Sequence, residues 1–170
     1  MHAAALLQQL GRDGAQRFLE DFAKHGGRML ASNGEVKRRV GSGEFAIGLT
    51  DSDDVNVALL DSLPVGFIVP DQTSAGAVLV PSAIMLVANA PHPSEAQALA
   101  QFLASAETAE WMANGSGAHF PMHDLTRKPG GLGLSLDKVR LAVLDDQRLS
   151  AEFEKWRVSF LEDWVRKQQY

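Results

Sequence analysis

The chain has 170 residues, a hydrophobic fraction of 45%, a charged fraction of 22% and a formal net charge of −5. Its length is that of one domain with a buried core, and the negative charge disfavours nucleic acid as the main partner. The absence of cysteine excludes disulfides, a thiol nucleophile and a thiolate metal site. The apolar runs are too short to cross a membrane, so direct membrane insertion is not expected.

Helical patterns and short apolar runs alternate along the chain. The helical patterns begin at residues that cap helix N-termini, and the apolar runs have the length and composition of buried parallel strands. The predicted helices cover residues 3–10, 13–25, 35–40, 55–60, 96–103, 107–112 and 146–168. The predicted strands are Arg28–Ala31, Phe45–Leu49, Val65–Val69, Val78–Val80 and Ile84–Val87. The predicted fold class is therefore α/β, with a mostly parallel sheet flanked by helices.

An acidic turn follows the Phe45–Leu49 run. Asp51, Ser52, Asp53 and Asp54 come directly before a predicted helix, and ligands of open α/β sheets lie beyond the carboxyl ends of strands. Asp is also a preferred N-cap residue, and acidic side chains in a first helical turn are favoured by the helix dipole. One cap needs one Asp and here there are three. Ligand binding and helix capping therefore both stay open, with Asp51 as the expected cap.

Two other patterns are weaker indicators of function. The final helix has an apolar stripe with spacings of three and four, which is typical of a face docked on the same domain and less often of a partner-binding face. Its members are Leu149, Phe153, Trp156, Phe160 and Trp164. His119 and His123 have the spacing of a helical zinc pair, but Pro121 lies between them and disfavours a helix.

Several short motifs follow one another in a recognisable order. They are Asn33 with Val36, the Ser42–Glu44 turn, Gly48–Asp54, Val69–Gln72, Val80–Ser82, Ala90–Pro93, and Phe102–Ser105 followed by Glu107. In this order they resemble the C-terminal half of a periplasmic substrate-binding protein of an ABC transporter, of the iron(III)-binding type. The similarity extends from about His2 to Met122, and the final helix shows a weaker similarity.

The resemblance implies one lobe of a type II periplasmic-binding-protein fold plus part of the second lobe. Residues 1–76 would form the main α/β lobe without its first strand, residues 77–122 would return to the other lobe, and residues 123–170 would pack back on the main lobe. The N-terminus lacks the features of a signal peptide, which a periplasmic protein needs. We therefore expect a truncated solute-binding component of an ABC importer, which in its complete form has an interlobe cleft and contacts a permease.

The resemblance also indicates where a ligand would bind. In the ferric members of the family, adjacent tyrosines after the Gly-Leu strand end bind iron, and Asp53 and Asp54 fall at those positions here. The only tyrosine is Tyr170, so a tyrosinate iron site is not expected. Carboxylates bind hard cations, which makes Asp53 and Asp54 candidate ligands for a metal ion such as Fe³⁺ carried as cargo. They equally suit the ammonium or hydroxyl groups of a small solute.

Asn33, Asp51, Ser52, Asp53 and Asp54 form the candidate ligand-binding set. We expect no resident cofactor and no enzymatic activity, because the sequence order shows no catalytic triad. Two alternatives remain open: a ligand-sensing effector domain of a transcription regulator, and a self-associating remnant that binds no ligand. Unpaired strand edges favour association between chains, so we expect the isolated chain to form a dimer or larger assembly, or to be poorly soluble.

Overall fold

The computed structural model describes residues 2–117, 120 and 132–168, and helices dominate this part of the chain. A short 3₁₀ helix (Leu136–Lys138) precedes the last α-helical region, in which a π-helical segment (Arg157–Leu161) joins two α-helices. The α-helices are α1 (His2–Lys24), α2 (Asn33–Gly41), α3 (Ser52–Leu60), α4 (Pro93–Leu103), α5 (Ala106–Asn114), α6 (Asp146–Trp156) and α7 (Glu162–Gln168).

The helices begin and break where local chemistry requires. The Ser32 hydroxyl accepts a hydrogen bond from the Glu35 N–H at 3.1 Å, which satisfies one free donor at the start of α2. Ser105 does the same for Thr108 at the start of α5, at 3.2 Å. Gly11 adopts φ 67° and ψ 174°, so α1 consists of two helical segments on either side of a kink. This break separates the two helices that the sequence predicts over residues 3–10 and 13–25.

The main hydrophobic core lies between α1 and the C-terminal helical region. Leu7, Ala15 and Leu19 of α1 pack with Trp156 and Trp164, and Trp156 is only 1% exposed. The Trp156 ring stacks on Phe160 with a centroid distance of 5.7 Å. The apolar stripe of the final helix is therefore a packing face, as its spacing indicates.

Two smaller helix pairs complete the packing of the described residues. α2 packs against α3, and α4 packs against α5. The pairs are tied together by Asn56 of α3, which is 1% exposed and whose side-chain Nδ2 donates to the Ser116 carbonyl oxygen at 2.6 Å. A buried amide with a defined partner fixes the position of α3 relative to the end of α5.

The predicted α/β fold with a mostly parallel sheet is wrong for this structure. Helix accounts for 56% and strand for 1%, and no sheet is present in the described ranges. The only β-bridge described there is a parallel one between Ala77 and Leu141. The five predicted strands instead have irregular backbone. They are Arg28–Ala31, Phe45–Leu49, Val65–Val69, Val78–Val80 and Ile84–Val87.

The reason for this difference is the lack of pairing partners. A strand is stabilised by hydrogen bonds to a neighbouring strand, which a run of apolar residues does not supply by itself. In the described part of the chain, the backbone hydrogen bonds of these runs reach only residues nearby in sequence, such as Val65 N–H to Leu63 C=O at 2.7 Å. Their side chains are correspondingly open to solvent, with Ile47 89% and Ile68 92% exposed.

Candidate functional site

A close contact at Gly48 brings the acidic turn to the start of α2. A Cβ atom at residue 48 would lie 2.4 Å from Val36 Cγ1 and 2.8 Å from Val40 Cγ2. These distances are far below van der Waals contact, so only glycine lets the chain cross α2 here without displacing it. The residues after Leu49 consequently meet the N-terminal end of α2.

Asn33 connects this end of α2 to the acidic turn. Its side-chain Nδ2 donates to Asp51 Oδ2, and the Thr50 hydroxyl donates to the Asn33 carbonyl oxygen at 3.5 Å. Asp51 occupies the N-cap position of α3 with extended backbone, but its side chain makes no capping hydrogen bond to the helix. The prediction that Asp51 is the N-cap of α3 is therefore confirmed for its position, while its carboxylate binds the amide of Asn33 and no N–H group of the helix.

Lys37 pairs with the third aspartate of the turn. Its Nζ lies 3.2 Å from Asp54 Oδ1, and both side chains are mostly buried, with exposed fractions of 23% and 16%. Lys37 was not among the predicted site residues. It lies four residues after Asn33 and therefore on the same face of α2, and this spacing could have identified it from the sequence.

The three carboxylates of Asp51, Asp53 and Asp54 are close enough to act on one ligand. Each offers an oxygen, and these atoms all lie within 4.8 Å of one another. Burial raises the pKa of Asp53, and the hydrogen bond with Asp51 and the negative charge of Asp51 raise it further. Burial also acts to raise the pKa of Asp51, but hydrogen bonds from Asp53 and Asn33 outweigh it and lower that pKa. The Asp51 carboxyl therefore loses its proton at a lower pH than the Asp53 carboxyl does.

The turn lies at the edge of a large open groove. The groove has a volume of about 1370 Å³, and Asp51, Ser52 and Asp54 line it, whereas Asp53 does not. Most of its remaining lining comes from α2 and from the exposed apolar runs, including Ile47 and Ile68. The arrangement therefore combines a small acidic cluster with a wide apolar surface.

His2 also lines this groove, at the start of α1. Partial burial lowers the pKa of His2, while the nearby negative charge of Asp51 acts in the opposite direction. His119, His123 and Tyr170, which the sequence analysis considered, lie outside the described residues.

The comparisons with known proteins give one match. The family model described as bacterial extracellular solute-binding protein matches residues 3–124, which include the whole acidic turn. Comparison with curated proteins and with solved structures gives no match. Among the described helices, none combines the length and the apolar character that a membrane span needs.

Proposed function

Because the chain belongs to the family of bacterial extracellular solute-binding proteins, we propose that it binds a small solute at the acidic turn that begins α3. The family typically binds solutes and is not enzymatic, and the proposed setting is the periplasm, as the solute-binding component of an ABC importer. The observation that carries the location is the cluster of three carboxylate oxygens within 4.8 Å at the edge of an open groove.

The side chains of the turn support a solute with positively charged or hydroxyl groups. The Lys37 ammonium, 3.2 Å from Asp54 Oδ1, shows the chemistry that this carboxylate accepts. Asp51 keeps acceptor capacity beyond its bonds to Asn33 and Asp53, because a carboxylate has two oxygens with about four acceptor positions. Ser52 adds a hydroxyl that lines the same edge. Together these groups suit an organic amine or a polyol.

A hard metal ion is the second candidate solute, and the spacing of the oxygens favours it. Asp53 and Asp54 would be its first ligands, and Fe³⁺ as cargo belongs to this class. Hard cations take carboxylate oxygens as ligands. The raised pKa of Asp53 opposes this binding at low pH, since a ligand carboxyl must lose its proton. Metal binding at this turn would therefore strengthen with rising pH, whereas binding of a polyol would not.

The test is a set of titrations with chosen probes. They are putrescine for an amine, myo-inositol for a polyol, Ca²⁺, and Fe³⁺ supplied as its citrate complex. Replacing both Asp53 and Asp54 by Asn should weaken binding of the responding probe by at least about tenfold, roughly 1.4 kcal/mol. The control is Asp61→Asn, which removes a carboxylate from the other end of α3. Equal affinities of wild type and the double variant would contradict the proposed location.

A further inference from the structure

A second cavity lies between α1 and α6. It has a volume of about 260 Å³ and is lined by eight residues, namely Leu7, Gln8, Gly11, Arg12, Leu149, Glu152, Lys155 and Trp156. None of these belongs to the acidic turn. The volume is just below the usual range for small-molecule sites and far above the roughly 30 Å³ that one water occupies in the liquid.

Trp156, which lines this cavity, carries an unpaired hydrogen-bond donor. The side chain is 1% exposed, and the indole Nε1 is the one buried side-chain polar atom of the described residues that has no hydrogen-bond partner. An indole N–H can only donate, and leaving it unpaired in the interior is unfavourable for folding. A ligand that brings an acceptor atom into the cavity would remove this cost.

The charges around the cavity favour a negatively charged acceptor. Arg12 and Lys155 line it, and Glu152 is the only acidic side chain among the described residues that does so. Arg12 is held in place by the hydrogen bond from its Nη2 to Ser159 Oγ at 2.6 Å, which leaves its other N–H groups available. Lys155 forms no ion pair within the described residues.

The backbone near Gly11 also favours an anion at this cavity. The kink at Gly11, with φ 67°, divides α1, so the segment after it has its own N-terminus at the cavity. The first N–H groups of a helix lack intrahelical acceptors and bind anions well. The segment continues to Lys24 and is long enough to carry a helix dipole.

We propose that this cavity binds a small oxyanion, a carboxylate or a phosphate, through Arg12, Lys155 and the indole N–H of Trp156. The acidic turn and this cavity have opposite charge preferences. The two sites therefore select different ligands, and failure of one proposal does not affect the other.

The experiment titrates the full chain with sodium succinate and with inorganic phosphate at constant ionic strength, with sodium chloride as the reference salt. Thermal unfolding reports binding, because a ligand of the folded state raises the Tm in a saturable way. We expect a saturable rise with at least one oxyanion beyond the effect of chloride. The anion that responds identifies the class of ligand. An equal response to all three salts would overturn the proposal.

Three variants locate the binding. Lys155→Gln removes a charge from an exposed side chain and should weaken the apparent affinity by at least about tenfold, or 1.4 kcal/mol. Lys24→Gln makes the same change at the far end of α1 and should leave it unchanged. Trp156→Phe keeps an aromatic ring but removes the donor, and should weaken binding. If the Trp156→Phe variant does not fold, the Lys155→Gln variant still tests the proposal. An unchanged anion affinity of Lys155→Gln would overturn it.

Discussion

At the scale of single residues, the acidic turn depends on contacts that come from α2. Asn33 binds Asp51 and Lys37 binds Asp54, while the glycine at residue 48 lets the two segments approach. The two side-chain contacts join residues that are 18 positions apart (Asn33 and Asp51) and 17 positions apart (Lys37 and Asp54). The sequence shows that the aspartates are adjacent, and Asn33 was among the candidate residues. It did not identify Lys37 as the partner of Asp54.

Gly48→Ala should destabilise the chain by about 1–3 kcal/mol, because the new methyl group would overlap Val36 and Val40. Gly66→Ala is the matched control, since a Cβ at residue 66 would meet no atom within 4 Å. Urea unfolding followed by circular dichroism measures both. Equal stabilities of the two variants would show that the crossing at Gly48 is not tight.

Asp53→Asn should change the pH dependence of stability. The folded chain holds the Asp53 proton above the ordinary pKa of 3.8, so this group favours folding below pH 3.8. That contribution is lost as the pH rises through the raised folded-state pKa. Asn cannot ionise, so the difference between the Tm of the variant and that of wild type should rise as the pH increases from 3.8 through the folded-state pKa of Asp53. Asp61→Asn provides the comparison, and a Tm difference that falls with rising pH would contradict the assignment.

At the scale of elements, the helices were predictable and the strands were not. A helix depends on signals that are local in sequence, namely periodic apolar residues, capping residues and helix-breaking glycines. In the structure, Ser32 and Ser105 cap α2 and α5 through local hydrogen bonds, and Gly11 breaks α1. The apolar runs carried an equally clear preference for strand, but strands need partners distant in sequence. The same distinction applies to the site, where Lys37 pairs with Asp54 through the packing of α2 on α3.

Asn56→Ala should destabilise the chain by about 1–3 kcal/mol, since it removes a buried donor and leaves the Ser116 carbonyl without this partner. Without this hydrogen bond, α3 is held less firmly against the end of α5. Solute binding at the acidic turn should therefore weaken as well. Asn114→Ala is the control, because the side chain of Asn114 is exposed and bonds only within α5, to the Glu110 carbonyl. Chemical denaturation compares the two. A smaller effect at residue 56 than at residue 114 would contradict the role of Asn56.

At the scale of the whole molecule, the chain exposes much more surface than its mass requires. The accessible surface is 11716 Å² for 18.4 kDa, whereas a compact monomer of this mass has about 8,200 Å². Much of the excess is apolar, because the predicted strands leave residues such as Ile47, Ile68 and Met85 open to solvent. Contiguous apolar surface of this kind favours association.

The isolated chain should therefore form a dimer or a larger assembly at tens of micromolar, which sedimentation velocity measures directly. Replacing Ile47 and Ile68 by Lys should shift the distribution towards monomer, since both side chains line the groove and are about nine-tenths exposed. Val158→Lys, at an exposed position in the π-helical segment, should have no such effect. A stable wild-type monomer at this concentration would contradict the expectation that the apolar groove is covered.

The most direct test of solute binding at the acidic turn is a map of backbone amide shifts by heteronuclear NMR. The probes are putrescine, myo-inositol, Ca²⁺ and Ga³⁺ as its citrate complex, a diamagnetic substitute for Fe³⁺. We expect at least one probe to produce saturable shifts centred on Asn33 and on residues 51–54, and we expect the Asp53→Asn/Asp54→Asn variant to lose them. Saturable shifts centred elsewhere, or none with any probe, would contradict it.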